Sequence, residues 1–497
     1  MANLKTLFKD TALYGMSSIV GRFLNYLLVP LYTAKIAAAS GGYGVITNVY
    51  AYTAILLVIL TFGMETTFFR FVNKEGEDPQ RTYSTVLVMV GGVALAFVAV
   101  VMAFLSPLSA AMGYASHNEY VAVMAACVAI DAFQCIPFAY LRYRHRPWKF
   151  VALKMLFIVL NIALNIVYFV VLPAMYSNPS TYNLASAVYD PSVGVGYVFR
   201  INLFCTALVT LFFRRELTGF KWVFDRALAR RMLKYSWPIL LLGITGILNQ
   251  TADKIIYPLV APGAGHVQLG IYGAAAKIAM IMAMITQAFR YAYEPFVFGN
   301  AGKDGSRDTY AKAMKYFVIF TLLAYLVVVG WLDVLKYIIG RDYWEGLKVV
   351  PIVMAAEIMM GIYFNLSFWY KLIDKTVYGA WFSGIGCVVL VTINVVFIPI
   401  YGYMSCAWAG VAGYGTAMLL SYFIGQRKYP INYPLKSIGV YVLIAAVFTA
   451  VMLFLPKSLP TVVRLAANTL LIVLFVAHIV HYDFPLSSIP FIGRRFK

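Results

Sequence analysis

The sequence predicts an all-α polytopic membrane protein of about 14 transmembrane helices, with two parallel six-helix lobes around a central cavity and two C-terminal helices beside them. Three observations carry that prediction. First, 62% of the 497 residues are hydrophobic and only 12% are charged, whereas soluble domains are about half apolar and about a quarter charged. Second, apolar runs of about 20 residues, the length that crosses about 30 Å of hydrocarbon, follow one another along the whole chain. Third, the first half of the chain can be laid on the second in register.

Taken in order, the first run, 11–36, follows a short start, Met1 to Asp10, without an A-x-A cleavage pattern, so it reads as an uncleaved span. The run 44–72 ends at the charged turn before 83–105; then come 119–141 and 150–173, parted by a basic turn, and 194–213. Beyond a basic connector stand 235–260, 268–298, 311–332, 347–370, 376–399 and 403–424, with 435–455 and 461–482 closing the series. All should be helices, because these runs are too long and too uniformly apolar for barrel strands, and no other structure satisfies the backbone in lipid. The predicted organisation is an N-terminal lobe, 1–213, a cytoplasmic basic linker, 214–234, a C-terminal lobe, 235–424, and helices 13 and 14 with a cytoplasmic tail, 425–497. The five cysteines lie in or beside apolar runs without CxxC spacing and read as small packing residues.

The 40 Lys and Arg against 20 Asp and Glu give a net charge of +20. With the N-terminus placed in the cytoplasm, and the cations at span ends counted with the segment they adjoin, 27 fall on the cytoplasmic side, 6 on the external side and 7 deeper within spans. That bias predicts an inner (cytoplasmic) membrane protein with both termini cytoplasmic. It also accounts for the charge by topology and anionic lipid, not by nucleic acid. The turn holding Arg142, Arg144, Arg146 and Lys149 is cytoplasmic on this reading, and 173–193, without Lys or Arg, is external. In the linker, Phe224, Leu228 and Arg231 recur at helical spacing; an interfacial helix and an ordinary basic connector both fit.

The repeat has a shift of 227 to 229 residues. Pro30-Leu31 matches Pro258-Leu259, Tyr43-Gly44 matches Tyr272-Gly273, Glu65 with Lys74-Glu75-Gly76 matches Glu294 with Lys303-Asp304-Gly305, and Thr82-Tyr83 matches Thr309-Tyr310. Span one moves onto span seven, an even number of crossings, so the copies are parallel and a rocking motion about a path between lobes is the natural cycle.

Ionisable residues inside spans are expensive unless they face a cavity or a partner. Arg22 lies about 12 residues, or about 18 Å, into the first span. Lys277 lies about 9 residues, or about 14 Å, into the eighth, with no acid three or four positions away. Arg200 and the neighbours Asp253 and Lys254 sit nearer the external side, and Arg290 with Glu294 is an i, i+4 pair. Arg70 and Lys154 are near cytoplasmic ends and can snorkel. The candidate substrate-binding cations are therefore Arg22, Arg200, Lys254, Lys277 and Arg290, since phosphate oxygens take charge-assisted bonds from Arg and Lys. Candidate coupling or gating acids are Glu65, Asp253, Glu294 and Glu357; Asp131 is the fifth intramembrane acid. Inter-helix salt bridges among these charges are the competing reading. Neither HExxH, nor GxxxxGK followed by Ser or Thr, nor GxSxG occurs, so a transporter and not an enzyme is expected.

The run Tyr14-Gly15, Arg22-Phe23-Leu24-Asn25, Pro30-Leu31-Tyr32, then Tyr43-Gly44-Val45, Thr61-Phe62-Gly63-Met64-Glu65 and Phe68-Phe69-Arg70-Phe71 resembles the N-terminal half of Wzx-type polysaccharide flippases. Asn249-Gln250-Thr251-Ala252-Asp253-Lys254 and Gly270-Ile271-Tyr272-Gly273 through Ala276-Lys277-Ile278-Ala279 resemble that family's seventh and eighth helices. The likeness covers roughly 5–430. It implies the multidrug/oligosaccharidyl-lipid/polysaccharide exporter (MOP) superfamily, which also holds MurJ-type lipid II flippases and MATE transporters. By that resemblance the substrate is an undecaprenyl-diphosphate-linked oligosaccharide for O-antigen, capsule or related lipopolysaccharide and cell-surface polysaccharide biosynthesis, with a polysaccharide polymerase as a partner. No cofactor is implied; Na+ or H+ would be the coupling ion, with Asp253 and Asn394 as a weak sodium-site candidate. The alternatives are a lipid II flippase and a MATE-like cation or drug antiporter; the latter would want carboxylates, not 7 cations against 5 acids, within the spans.

Overall fold

In hydrocarbon every peptide N–H and C=O must be bonded within the chain, and the chain meets that demand with helices throughout. The computed structural model describes residues 26–483 except 75, 262, 264, 300–304 and 457; of 291, 292, 295, 296, 298 and 299 it describes the backbone alone. Its main helices are α1 (Leu28–Lys35), α2 (Gly42–Thr61), α3 (Met64–Val72), α4 (Pro79–Ala103), α5 (Asn118–Tyr143), α6 (Pro147–Ile166), α7 (Gly196–Leu211) and α8 (Arg226–Val260). They continue with α9 (Gly265–Gly299), α10 (Ser306–Gly330), α11 (Val350–Leu366), α12 (Val377–Tyr401), α13 (Met404–Lys428), α14 (Leu435–Phe454) and α15 (Thr461–Tyr482). Among the described residues, 12 helices are long and apolar enough to cross a membrane, and Gly196–Leu211 is a shorter apolar one. Spans two to fourteen of the sequence reading each coincide with one of these; span one lies mostly outside the described residues.

The chain divides into two compact units, one up to Gly273 and one from Ala274. In the first, the second span breaks at Phe62 and Gly63, both left-handed (φ 50° and 66°). A Cβ on Gly63 would also stand 2.8 Å from Ile239 Cγ2, so the break needs glycine twice over. Phe68, Tyr83, Val86, Leu87, Val128 and Ile136, fully or almost fully buried, form a core cluster with Leu228 and Met232. The start of α2 passes the start of α9 at backbone distance. A Cβ on Gly44 would meet His266 O at 1.8 Å, one on Gly270 would meet Gly44 N at 2.9 Å, and one on Gly273 would meet Thr47 Oγ1 at 2.8 Å. Small residues at such a crossing let helices associate where lipid supplies no hydrophobic drive.

The linker departs from the interfacial-helix reading. A short helix, Arg214–Thr218, is followed by irregular chain, and α8 begins at Arg226. Asp225 sets that start, its carboxylate accepting from Ala227 N (2.9 Å) and Leu228 N (3.0 Å). Phe224 and Leu228 therefore fall on opposite sides of a cap, and Leu228 is fully buried in the core while Phe224 is exposed. Glu216 pins the connector, pairing with Lys149 at 2.6 Å. The Leu228 N–H, and then Arg81 at 2.6 Å, hold the Asp225 carboxyl below the usual carboxylate range. Its contribution to stability is thus present above that range and lost as pH falls through the lowered value. Asp225→Ala should lower the melting temperature at neutral pH, and Asp225→Asn, which keeps the capping oxygen, should lower it less.

In the second unit, α12 and α13 meet through glycines, a Cβ on Gly386 coming within 2.7 Å of Gly413 O. The last two helices are fastened to α10 and the turn after it by polar contacts. Asp483 takes the Lys315 ammonium and the Tyr441 hydroxyl, Arg464 pairs with Asp333 at 2.6 Å, and Asn468 Nδ2 donates to Gly330 O at 2.8 Å.

Candidate functional site

The intramembrane charges divide into those the protein neutralises itself and those it leaves more open. In the first unit, Glu65 on α3 pairs with Arg142 on α5 and accepts from Cys135 Sγ at 3.3 Å. Lys254 on α8 binds both oxygens of its neighbour Asp253 (3.0 and 3.1 Å) and donates to Gln250 O at 2.8 Å. Asp253 also accepts from Tyr272 OH at 2.7 Å, while Asn48 Nδ2 holds Lys254 O at 2.7 Å. Arg200 on α7 is exposed, makes no ion pair among the described residues, and lies 5.9 Å from the Tyr197 ring centroid. Arg70 is also exposed, 4.5 Å from the Tyr235 ring centroid.

In the second unit Glu294 bridges Arg290 (3.8 Å) and Lys371 (3.3 Å), and Arg290 lies 4.8 Å from the centroid of Phe364. Lys277 on α9 and Glu357 on α11 are half-buried, and each interacts with another residue. Asn394 on α12 is fully buried with neither amide atom hydrogen-bonded among the described residues. Asp253 belongs to the first unit and Asn394 to the second, so each is described within its own surroundings. Arg22 lies outside the described residues. Among those residues no group of three or more His, Cys, Asp or Glu is placed to hold a metal.

The structure adds a constellation that the candidate site residues did not contain. Asp131 and Cys127 on α5 face Thr206 and Asn202 on α7, with Tyr50 of α2 behind Asn202. Its signal in the sequence is a pair of i, i+4 polar steps, 127–131 and 202–206, on otherwise apolar runs.

A bundle of this order is the fold of MOP-superfamily transporters. The lipid II flippase MurJ, in an inward closed conformation, superposes with a TM-score of 0.70 at 14% identity, over 94% of this chain and 99% of that one. An inward-facing multidrug resistance MATE transporter gives 0.62 at 14% identity, over 84% and 97%. The MATE multidrug transporter DinF-BH gives 0.58 at 16% identity, over 84% and 95%. The model of the polysaccharide biosynthesis protein family matches residues 7–292, more than half of the chain, and the protein belongs to that family. No curated protein sequence matches it.

Proposed function

We propose that the protein is a flippase that carries an undecaprenyl-diphosphate-linked oligosaccharide from the cytoplasmic to the periplasmic leaflet by alternating access of two lobes, 1–213 and 235–424. The family membership over residues 7–292 is the observation that carries this reading. The intramembrane cations fit its cargo. Arg22, Arg200, Lys254, Lys277 and Arg290 would meet the diphosphate; of these Lys254 and Arg290 are already neutralised in part by Asp253 and Glu294, and Lys277 also interacts with another residue. Outward movement of about two negative charges across an inside-negative membrane is favoured by about 2.3 kcal/mol per charge per 100 mV. In this scheme the acids Glu65, Asp253, Glu294 and Glu357 hold or release cations between states, and a polymerase takes the product outside. Purified protein in proteoliposomes should expose undecaprenyl-diphosphate oligosaccharide to an external sugar-cleaving enzyme, and empty liposomes should not; equal exposure in both would refute the proposal.

Direction depends on both termini being cytoplasmic. The five cysteines are buried or half-buried, so background labelling should be low. A cysteine at Ser180 should react with an impermeant thiol reagent applied to intact spheroplasts, and one at Lys221 should react only after lysis. Lys221 is the better cytoplasmic site than Gly219, where a Cβ would meet Arg215 O at 2.6 Å. The opposite labelling pattern would invert the topology.

A further inference from the structure

The connector from α6 to α7 carries a row of five tyrosines in ring contact. Tyr168 sits on the π-helical turn Val167–Val171, a departure from α-helix that recurs at functional sites. Its ring centroid is 4.7 Å from that of Tyr197, at the start of α7. From Tyr197 the row runs to Tyr189 at 5.5 Å, the two rings 15° from parallel, then to Tyr176 at 5.8 Å and to Tyr182 at 4.8 Å. The inner members are fixed: Tyr168, Tyr189 and Tyr197 pack in a core cluster with Ile201 and Cys205, and the Tyr197 hydroxyl accepts from Asp190 N at 2.7 Å. The outer ones are open, Tyr176 half-buried and Tyr182 43% exposed.

The chain around these rings has a matching composition. Of the 21 residues 173–193, 11 carry a hydroxyl, amide or carboxylate, and none is Lys or Arg. Tyrosine gives a large, rigid, amphipathic contact at low entropic cost, and Ser and Asn give adaptable hydrogen bonds, the combination that antibody loops use. Interfacial aromatic belts spread their rings around a membrane protein; here five rings adjoin within residues 168–197 and are held by a core. Positive charge enters only at the inner end of the row, where Arg200 lies 5.9 Å from the Tyr197 ring centroid. The Ser192 N–H, and also Arg200, hold the Asp190 carboxyl there below the usual carboxylate range.

We propose that Tyr176 and Tyr182, with the hydroxyl and amide side chains around them, form an external docking surface for uncharged sugar rings of the glycan. A pyranose offers apolar C–H faces to aromatic rings and hydroxyls to Ser, Asn and Tyr, and it needs no cation. A segment without Lys or Arg has nothing to draw a phosphate, so the surface fits the sugars, and Arg200 at its inner end fits the anionic part of the same molecule. The site lies wholly within the first unit. For its cargo and its side of the membrane it rests on the flippase reading.

The test uses purified full-length protein and, as probe, the free oligosaccharide released by mild acid from the surface polysaccharide of the cells that make it. Saturation-transfer NMR, with the protein's aromatic protons irradiated, should show transfer to sugar C–H protons, and a titration gives the affinity. Tyr176→Ala with Tyr182→Ala should bind about fivefold or more weakly. Tyr176→Phe with Tyr182→Phe, which keeps both rings, should stay within about twofold, and Leu184→Ala, at an exposed apolar neighbour, should match wild type. Folded wild type that shows no transfer overturns the proposal, and so does binding unchanged in the alanine pair. Translocation in proteoliposomes separates this site from the flippase reading. Wild type that moves the lipid-linked sugar but binds no free glycan refutes the site alone; wild type that binds the glycan through these rings but moves no lipid supports the site and refutes transport.

Discussion

Lys277→Ala and Arg22→Ala should each cut export of lipid-linked glycan at least tenfold while the protein inserts at wild-type levels. A charge-assisted hydrogen bond is worth about 1.5–3 kcal/mol, and each 1.4 kcal/mol or so is a factor of ten in affinity. Losing one such contact to a diphosphate in a low-dielectric path therefore removes most of the binding that one cation supplies. Lys277→Arg should keep export, because the positive charge remains and the guanidinium still donates to phosphate oxygens. Arg70→Ala is the contrast: that guanidinium is exposed over Tyr235 near the end of α3, and its loss should leave export within about twofold, as for a surface cation. Surface polysaccharide on intact cells, normalised to protein in the membrane, reads all four variants. Unchanged polysaccharide in both Lys277→Ala and Arg22→Ala would remove these two residues from the substrate path.

Gly44→Ala should cause the largest loss of stability of any glycine-to-alanine change among the described residues. The new Cβ would fall 1.8 Å from His266 O and 2.7 Å from His266 C, atoms of a helix backbone that no side-chain rotation can clear. The two helices must then part, undoing the contact of Gly270 with Gly44 N and of Gly273 with Thr47. Overpacking of this kind costs about 1–3 kcal/mol where side chains can adjust, and more where backbone must move. The melting temperature of purified Gly44→Ala should fall by several degrees. Gly92→Ala, in α4 with nothing within 4 Å of the added carbon, should leave it unchanged or raise it. Equal stability of both variants would contradict the close crossing.

The helices were legible because the bilayer imposes one length and one secondary structure on every apolar run. Span five, 150–173, was visible as a single run, yet its π-helical turn at Val167–Val171 was not, since five apolar residues carry no mark of a changed hydrogen-bond register. The break at Phe62–Gly63 was hidden for a related reason: one glycine in a span is common, and its need here comes from Ile239 on a distant helix. In the linker the periodicity of Phe224, Leu228 and Arg231 leaves an interfacial helix and an ordinary connector equally open, and what separates them is the cap made by the Asp225 side chain. Charges could be counted from the sequence, but their partners could not. Glu65 is 77 residues from Arg142, and Glu294 is 77 from Lys371. Asp131 went unassigned because its partner Thr206 lies 75 residues away on another helix, and a lone threonine in an apolar run carries no sign of what it faces.

Movement of the lipid-linked sugar itself is the most direct test. Proteoliposomes carrying undecaprenyl-diphosphate oligosaccharide should show time-dependent exposure of the sugar to an external cleaving enzyme with wild-type protein. Lys277→Ala proteoliposomes should stay near the protein-free rate, and lipid II offered in place of the oligosaccharide separates the two cargoes. Wild-type protein, folded and reconstituted, that leaves both lipids at the protein-free rate would contradict a flippase of either kind.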